Sequence, residues 1–275
     1  MHTSRTIGTH VSQQLRRRPR PAISWQHALT PVTLLLFLAL WDLVVRWGGY
    51  PAFVLPGPAR VAARFAQALR DGSLLDHTVV TLGEVFGGLA LGLSVALVLG
   101  YLLAKSRMLE RVLSPYIVAS QAVPIVALAP LLVIWFGVGS LSKVLVCSLT
   151  LFFPVLINTV VGIRSVDGDL VDLMRSLEAT RWQIFRYLEV PAALPVLFGG
   201  LKVGVTLSVI GAVVGEFVGA DRGLGFLVNL ARGLFDTPLM FVALFTLMAI
   251  ALALYLSVSL LESALLRWRW PEDRA

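Results

Sequence analysis

The sequence predicts an all-α fold: an integral membrane bundle of about six transmembrane helices. Three observations carry that prediction. Of 275 residues, 57% are hydrophobic and 14% charged, and the mean hydropathy is +0.82. A soluble domain carries roughly 25% charged residues, so the apolar excess exceeds what one small core can hold and lipid must be the solvent. The apolar residues also gather into six long runs, and the Lys and Arg residues gather in alternate connections between them.

The runs occupy residues 28–45, 82–104, 115–136, 142–163, 192–214 and 241–261. Each approaches the roughly 20 residues that cross a hydrocarbon layer of about 30 Å. Backbone groups in lipid must be satisfied within the segment, so the runs are helices. A β-barrel would show alternating segments of about 10 residues, and the sequence has none. The organisation expected is a basic tail (1–27), a first transmembrane helix (28–46), an external segment (47–77), a transmembrane domain (78–262) and a short tail (263–275).

The first run follows Arg16, Arg17, Arg18 and Arg20, which imitates the start of a signal peptide. Its length and the lack of a small-residue cleavage site favour a retained helix. After it, Pro56-Gly57-Pro58 precedes Val61, Phe65, Ala68 and Leu69 at helical spacing beside Arg60, Arg64 and Arg70. That pattern predicts a short amphipathic helix on the outer interface. The second run carries Gly83, Gly87, Gly88, Gly92 and Gly100, a rhythm of small residues that lets neighbouring helices approach closely.

In the third run Ser120 and Gln121 precede Pro124 and Pro130. Proline frees backbone carbonyls, so this stretch fits a polar patch on a substrate path and a kinked structural helix equally well. Gln121 and Pro124 are therefore path candidates. The fourth run holds Cys147, the single cysteine, which reads as a small buried hydrophobe. No internal disulfide or Cys/His metal cluster is possible.

The connection at 164–191 is the most informative stretch. Leu170, Leu173, Met174 and Leu177 form an i, i+3, i+4, i+7 stripe, with Asp172, Arg175 and Glu178 off it. Asp169 is the expected cap of this helix. Thr180 and Gln183 then fit a capping box that starts a second helix, on which Trp182 and Phe185 face one way. Pro191 and Pro195 are expected to interrupt the helix before the fifth run. An apolar ridge too short to span fits a partner's groove, and it also fits the lipid interface or the bundle itself.

Charges at membrane depth are expensive and tend to face cavities or partners. Asp42, Glu84, Lys202, Glu216 and Glu262 fall in or near the runs. Glu84 and Glu262, near helix ends, are expected at the interface. Lys202 either snorkels to the surface or pairs across the bundle. Glu216, at the outer end of the fifth run, is the candidate for a gate or for contact with a partner on the outer face. Fifteen Lys and Arg flank one set of helix ends against seven on the other, which puts both termini in the cytoplasm. The same distribution explains the net charge of +7 without nucleic acid.

The stretch DLMRSLEATRWQIFRYLEVPAALPVLFGGLKVGV resembles the EAA loop of binding-protein-dependent ABC importer permeases. Asp172-Leu173-Met174 fall on the EAA positions, Glu178 on the motif glycine, Ala179-Thr180 on the next pair, and Pro191 and Pro195 on the two prolines. Ala122-Val123-Pro124, Ala127-Leu128-Ala129-Pro130 and Trp135-Phe136-Gly137-Val138-Gly139 are similar to the third helix of the branch importing nitrate, sulfonates, taurine and vitamin precursors. Gly215-Glu216-Phe217 and Gly223-Leu224-Gly225 are similar to its fifth helix and outer loop, and the resemblance covers 56–261.

The resemblance implies a type I ABC permease in the bacterial plasma membrane. Its loop docks into a cytoplasmic ABC ATPase dimer, which holds ATP-Mg, while this chain binds no cofactor and is no enzyme itself. Leu173, Met174 and Leu177 would be the knobs of that contact, with Asp172 and Arg175 giving polar registration. A second permease subunit, completing a homodimer, and an extracytoplasmic solute-binding protein finish the complex. The phrase from Val209 to Ala220 is most like permeases for riboflavin or the pyrimidine precursor of thiamine, with nitrate, sulfonate and taurine as alternatives.

Two departures bear on the loop. Asp172 replaces a glutamate, and Glu178 stands where the family has a glycine that supplies positive φ. Either Glu178 adopts that conformation at a cost of roughly 1 kcal/mol, or the first helix runs on through it. Enzymatic motifs are absent: there is no Walker A, HExxH or GxSxG, and His2, His10, His27 and His77 lie outside the runs. An ion-coupled secondary transporter is the rival from another class. It would favour inverted repeats, which the sequence does not show.

Overall fold

The computed structural model describes the backbone of residues 25–266 and the side chains of residues 31–266. The chain divides into two units between Gly49 and Tyr50. The first contains α1 (Trp25–Gly48), whose residues Pro31–Gly48 are long and apolar enough to cross a membrane. Asp42 pairs with Arg46 at 2.7 Å, one turn on, so the acid carries its own counter-ion on the same helix.

The second unit contains α2 (Pro58–Arg70), α3 (Ser73–Lys105), α4 (Arg107–Gln121), α5 (Ile125–Phe136), α6 (Ser140–Arg164), α7 (Gly168–Ser176) and α8 (Arg181–Ile184). A π-turn (Phe185–Glu189) joins α8 to α9 (Val190–Gly219), followed by α10 (Leu224–Gly233) and α11 (Thr237–Leu265). α6 is the central post, with α3 on one side and α9 on the other. Val146, Cys147, Leu151, Val155 and Leu156 of α6 are fully buried.

The close approach of these helices follows from small residues spaced four apart. On α3 the ladder is Gly88, Gly92, Ala96 and Gly100, all facing α6. A Cβ on Gly92 would lie 2.8 Å from the carbonyl oxygen of Ser148, and one on Gly100 would lie 2.6 Å from Cβ of Thr159. Gly83 meets nothing within 4 Å, so it is not part of the seam. On α9, Gly200, Gly204, Gly211 and Gly215 do the same work against the other flank of α6. The hydroxyl of Ser148 donates to the Gly88 carbonyl at 3.1 Å, a buried bond across the seam.

The third run is not one helix. α4 and α5 meet at an angle of 96° across residues 122–124, so the described helices comprise five unbroken candidate spans and one bent pair. Pro124 has no N–H to continue the α4 ladder, and it starts α5 by accepting from the Ala127 N–H at 2.9 Å. The fifth run departs from expectation in the opposite sense. Neither Pro191 nor Pro195 interrupts it, and helix continues from Arg181 to Gly219. The π-turn absorbs Pro191: the Val190 N–H reaches back five residues to Phe185, and the wider turn no longer needs a donor at the proline.

α2 does not simply lie on the interface. Val61 and Ala68 are buried while Phe65 and Leu69 face outward, and Arg64 pairs with Asp236 at 2.9 Å just before α11.

Candidate functional site

Two structured regions lie at opposite ends of α9. At its N-terminal end, α7 is capped by Asp167, whose carboxylate accepts from the Asp169 N–H at 2.9 Å; the expected cap, Asp169, sits in the first turn instead. α7 ends in a Schellman motif, with the Glu178 N–H donating to Arg175 O at 2.9 Å and the Ala179 N–H to Met174 O at 3.0 Å. Glu178 therefore takes the left-handed conformation, φ 57°, that the motif glycine would supply.

Thr180 opens α8 with the expected capping box: its hydroxyl accepts from the Gln183 N–H at 3.3 Å, and its N–H donates to the Gln183 side chain at 2.7 Å. The two short helices are thus locked at a fixed junction. The apolar stripe is left open, with Leu170, Leu173 and Leu177 exposed and Met174 half-buried. Asp172 and Arg175 pair with each other at 3.0 Å, both largely in solvent, where such a pair contributes little.

This surface is anchored to the bundle beneath it. Trp182 stacks on Phe185 at 5.3 Å, and Phe185 meets Tyr101 of α3 edge-on at 5.1 Å. Glu189, buried, pairs with Lys105 and accepts from the Tyr101 hydroxyl at 3.4 Å. Close by in sequence, Arg164 grips both carboxylate oxygens of Glu110 (2.6 and 2.7 Å) and donates to the Leu103 carbonyl at 3.2 Å, tying α6, α4 and α3 together. Sequence reasoning missed both clamps, because their members are far apart along the chain.

At the other end Glu216 is 1% exposed and organises a buried hub. A helix leaves its first N–H groups without partners, and here side chains satisfy them all. The Gly223 N–H donates to Nδ1 of His77 at 3.0 Å, and the Leu224 N–H to the Thr81 hydroxyl at 2.8 Å. The Gly225 and Phe226 N–H groups donate to the Glu216 carboxylate, which also accepts from the Thr81 hydroxyl at 2.6 Å. α10 is thereby fastened to α3 and α9. Gly223 and Gly225 are required, since a Cβ at either position would run into the Glu216 carboxyl group.

Glu84 completes the hub and departs from expectation. It is 3% exposed, not interfacial, and its carboxyl group lies against that of Glu216. Its second oxygen, Oε2, makes no hydrogen bond. Lys143, also buried, donates to the Val138 carbonyl beyond α5 and lies near enough to act electrostatically on Glu84. His77 precedes the second apolar run, yet it lies within α3. The spacing of His77, Thr81 and Glu84 (i, i+4, i+7) puts them on one helix face, a signal the sequence did carry.

The four path candidates do not converge. Gln121 and Pro124 flank the α4–α5 break, and Gln121 is exposed. Lys202 pairs across the bundle with Glu262 and sits 5.8 Å from the Tyr255 ring, so Glu262 is its counter-ion. Lys202 and Glu216 are separated by about 20 Å along α9, at 1.5 Å per residue. Among the described residues no group of three His, Cys, Asp or Glu side chains is placed to hold a metal.

The fold is that of ABC transporter membrane subunits. An inward-facing methionine ABC transporter chain matches with a TM-score of 0.55 at 20% identity, covering 68% of this chain and 91% of that one. An amino acid ABC transporter matches at 0.54 and 22% identity, covering 74% and 96%.

Sequence comparison narrows the class. Residues 88–268 match the model of the binding-protein-dependent transport system inner membrane component, and the chain belongs to that family. It is 54% identical over 260 residues to the riboflavin transport system permease protein of Chloroflexus aurantiacus, 94% of this chain and 96% of that one. It is 35% identical to the formylaminopyrimidine transport permease protein of Halalkalibacterium halodurans (90% and 98% covered). It is 31% identical to a putative aliphatic sulfonates transport permease protein of Bacillus subtilis (94% and 93% covered). The chain is a multi-pass membrane permease subunit of an ABC importer.

Proposed function

We propose that this permease imports riboflavin, delivered by an extracytoplasmic binding protein and driven by a cytoplasmic ATPase dimer that docks on the α7–α8 surface. The observation that carries the solute is the 54% identity to a riboflavin permease over 94% of the chain. A pyrimidine precursor of thiamine is the second reading, favoured by the 35% relative over 90% of the chain. The test is ATP-dependent uptake into proteoliposomes holding the permease, its ATPase and its binding protein. Riboflavin should accumulate and formylaminopyrimidine should not compete; the reverse pattern selects the second reading.

The docking surface rests on an exposed leucine ridge mounted on a helix locked at both ends. A rigid element transmits a domain motion that a flexible loop would absorb. Asp172, Leu173, Met174, Arg175, Leu177, Glu178, Ala179 and Thr180 form the contact in this reading, and ATP-Mg stays on the partner. The double substitution Leu173→Asp with Leu177→Asp removes two apolar knobs, worth about 1.5–3 kcal/mol each when buried, and should abolish co-purification with the ATPase. Retained association sinks the docking role. The excess of cations on this side supports both termini facing the cytoplasm. The apolar Ile134, Trp135 and Phe136 of α5, all exposed in the single chain, support pairing with a second permease subunit.

A further inference from the structure

Where α3, α6 and the α8–α9 junction meet, a groove of about 600 Å³ opens sideways. That volume lies within the roughly 300–1,000 Å³ of ligand pockets. Its walls are Leu97, Val98 and Leu102 of α3, Ile163 of α6 and Leu197 of α9, and its rim carries Arg181 and Trp182. No carboxylate lines it, and Glu189, the acid of the adjoining π-turn, is already engaged by Lys105 and Tyr101.

The depth of the groove identifies its surroundings. Its walls belong to the last turns of α3 and α6 before Lys105 and Arg164, and Val98 and Leu102 are exposed along a segment otherwise made for hydrocarbon. Whatever fills it is apolar along most of its length. The mouth is different: Trp182, 63% exposed, and Tyr101 are the amphipathic rings that settle at the headgroup level, and Arg181 adds an exposed cation there. An amphiphile with an apolar tail and an anionic head matches both ends. Basic pockets between transmembrane helices at a membrane surface recognise such headgroups.

We propose that this groove binds one anionic phospholipid from the leaflet beside α7 and α8, its acyl chain against Val98, Leu102 and Leu197 and its phosphate at Arg181. The bound lipid fills the angle between α3 and the segment carrying the docking ridge, so it braces the junction through which α8 continues into α9. This rests on the reading of the α7–α8 surface as lying at a membrane face, and not on the identity of the solute or on ATPase docking.

The test is native mass spectrometry of the full-length permease in detergent, titrated with phosphatidylglycerol or phosphatidylcholine. The wild type should retain phosphatidylglycerol at least about fivefold better than phosphatidylcholine, the ratio that the attraction of one basic residue to anionic headgroups supplies. Arg181→Gln should bring the two lipids level, and Val98→Trp, which fills the wall, should lose both without lowering the thermal midpoint. Equal retention of the two lipids by the wild type overturns the proposal. So does an Arg181→Gln variant that keeps its preference, or a Val98→Cys variant whose disulfide or cross-linker product in membranes is a second copy of the chain or its own first helix. ATPase co-purification of Arg181→Gln reports separately on docking, so failure of one reading does not mask the other.

Discussion

Glu178 shows how a single backbone angle separates what the sequence specifies from what it leaves open. Its φ of 57° closes the Schellman motif that ends α7, so of the two outcomes left open by the missing glycine, the strained turn is the one the protein adopts. Left-handed geometry costs a non-glycine residue roughly 1–2 kcal/mol, because Cβ crowds the following carbonyl. Glu178→Gly should therefore raise the local stability of α7 by about 1 kcal/mol, read as slower amide exchange at residues 174–179, with ATPase association kept. Faster exchange there would mean the turn is held by the Glu178 side chain instead. Thr81 is the parallel case in the hub, where one hydroxyl serves the Leu224 N–H and the Glu216 carboxylate at once. Thr81→Val keeps the shape and removes both bonds, leaving a buried donor unpaired at a cost of about 1–3 kcal/mol. Exchange at Gly223 to Phe226 should quicken while exchange in α6 stays unchanged. Glu216 stands out in the sequence as an acid at the outer end of an apolar run. Its partners do not, because Thr81 and Glu216 lie 135 residues apart and only the fold brings them together.

At the scale of elements, periodicity and composition performed well where a helix has one uniform environment. The fourth and sixth runs match α6 and α11 to within a few residues, since lipid on one side and the bundle on the other leave an apolar helix no alternative. Ends were harder: α3 begins nine residues before its apolar run, at Ser73, because polar residues such as His77 and Thr81 are spent inside the protein on capping α10. The effect of a proline on a helix depends on its neighbours. At Pro124 the helix turns through 96°, while at Pro191 a π-turn of five residues keeps the path continuous. Nothing local to the sequence distinguishes those outcomes. The glycine ladder gives a sharper prediction. Gly92→Val should destabilise the bundle by about 1–3 kcal/mol, because its Cβ meets the Ser148 backbone carbonyl, which has no rotamer to move. Gly83→Val, with open space around it, should leave the thermal midpoint in detergent within error. Equal losses from both would mean that helix propensity, not seam packing, sets the effect.

On the scale of the whole molecule, α9 reaches both specialised ends, as α3 does, and it alone runs on directly from α8. Glu189 at its start is pinned to α3 by Lys105 and Tyr101, and Glu216 near its finish is pinned to α3 through Thr81 and to α10 through three backbone N–H groups counted with that hydroxyl's own. The two acids stand about 40 Å apart, at 1.5 Å per residue. A ridge that moves with an ATPase can displace the far hub over that distance only if the intervening helix carries the motion without bending. The π-turn is the irregular place in that path, since its hydrogen bonding reaches back five residues where the rest of the helix reaches four. Replacing Tyr187 and Leu188 by glycine adds about 1 kcal/mol of flexibility per residue at that point and leaves the leucine ridge untouched. The expected result is an importer that still binds its ATPase and still hydrolyses ATP, with solute uptake per ATP reduced about 5- to 150-fold, the range spanned by typical coupling free energies between distant sites. The same pair of glycines at Leu260 and Leu261, exposed on α11, should leave that ratio near the wild-type value. If the α9 variant transports as well as the wild type, the motion travels by another route, and the broken α4–α5 pair, clamped through Glu110 to Arg164 beside α7, is the next element to stiffen or loosen.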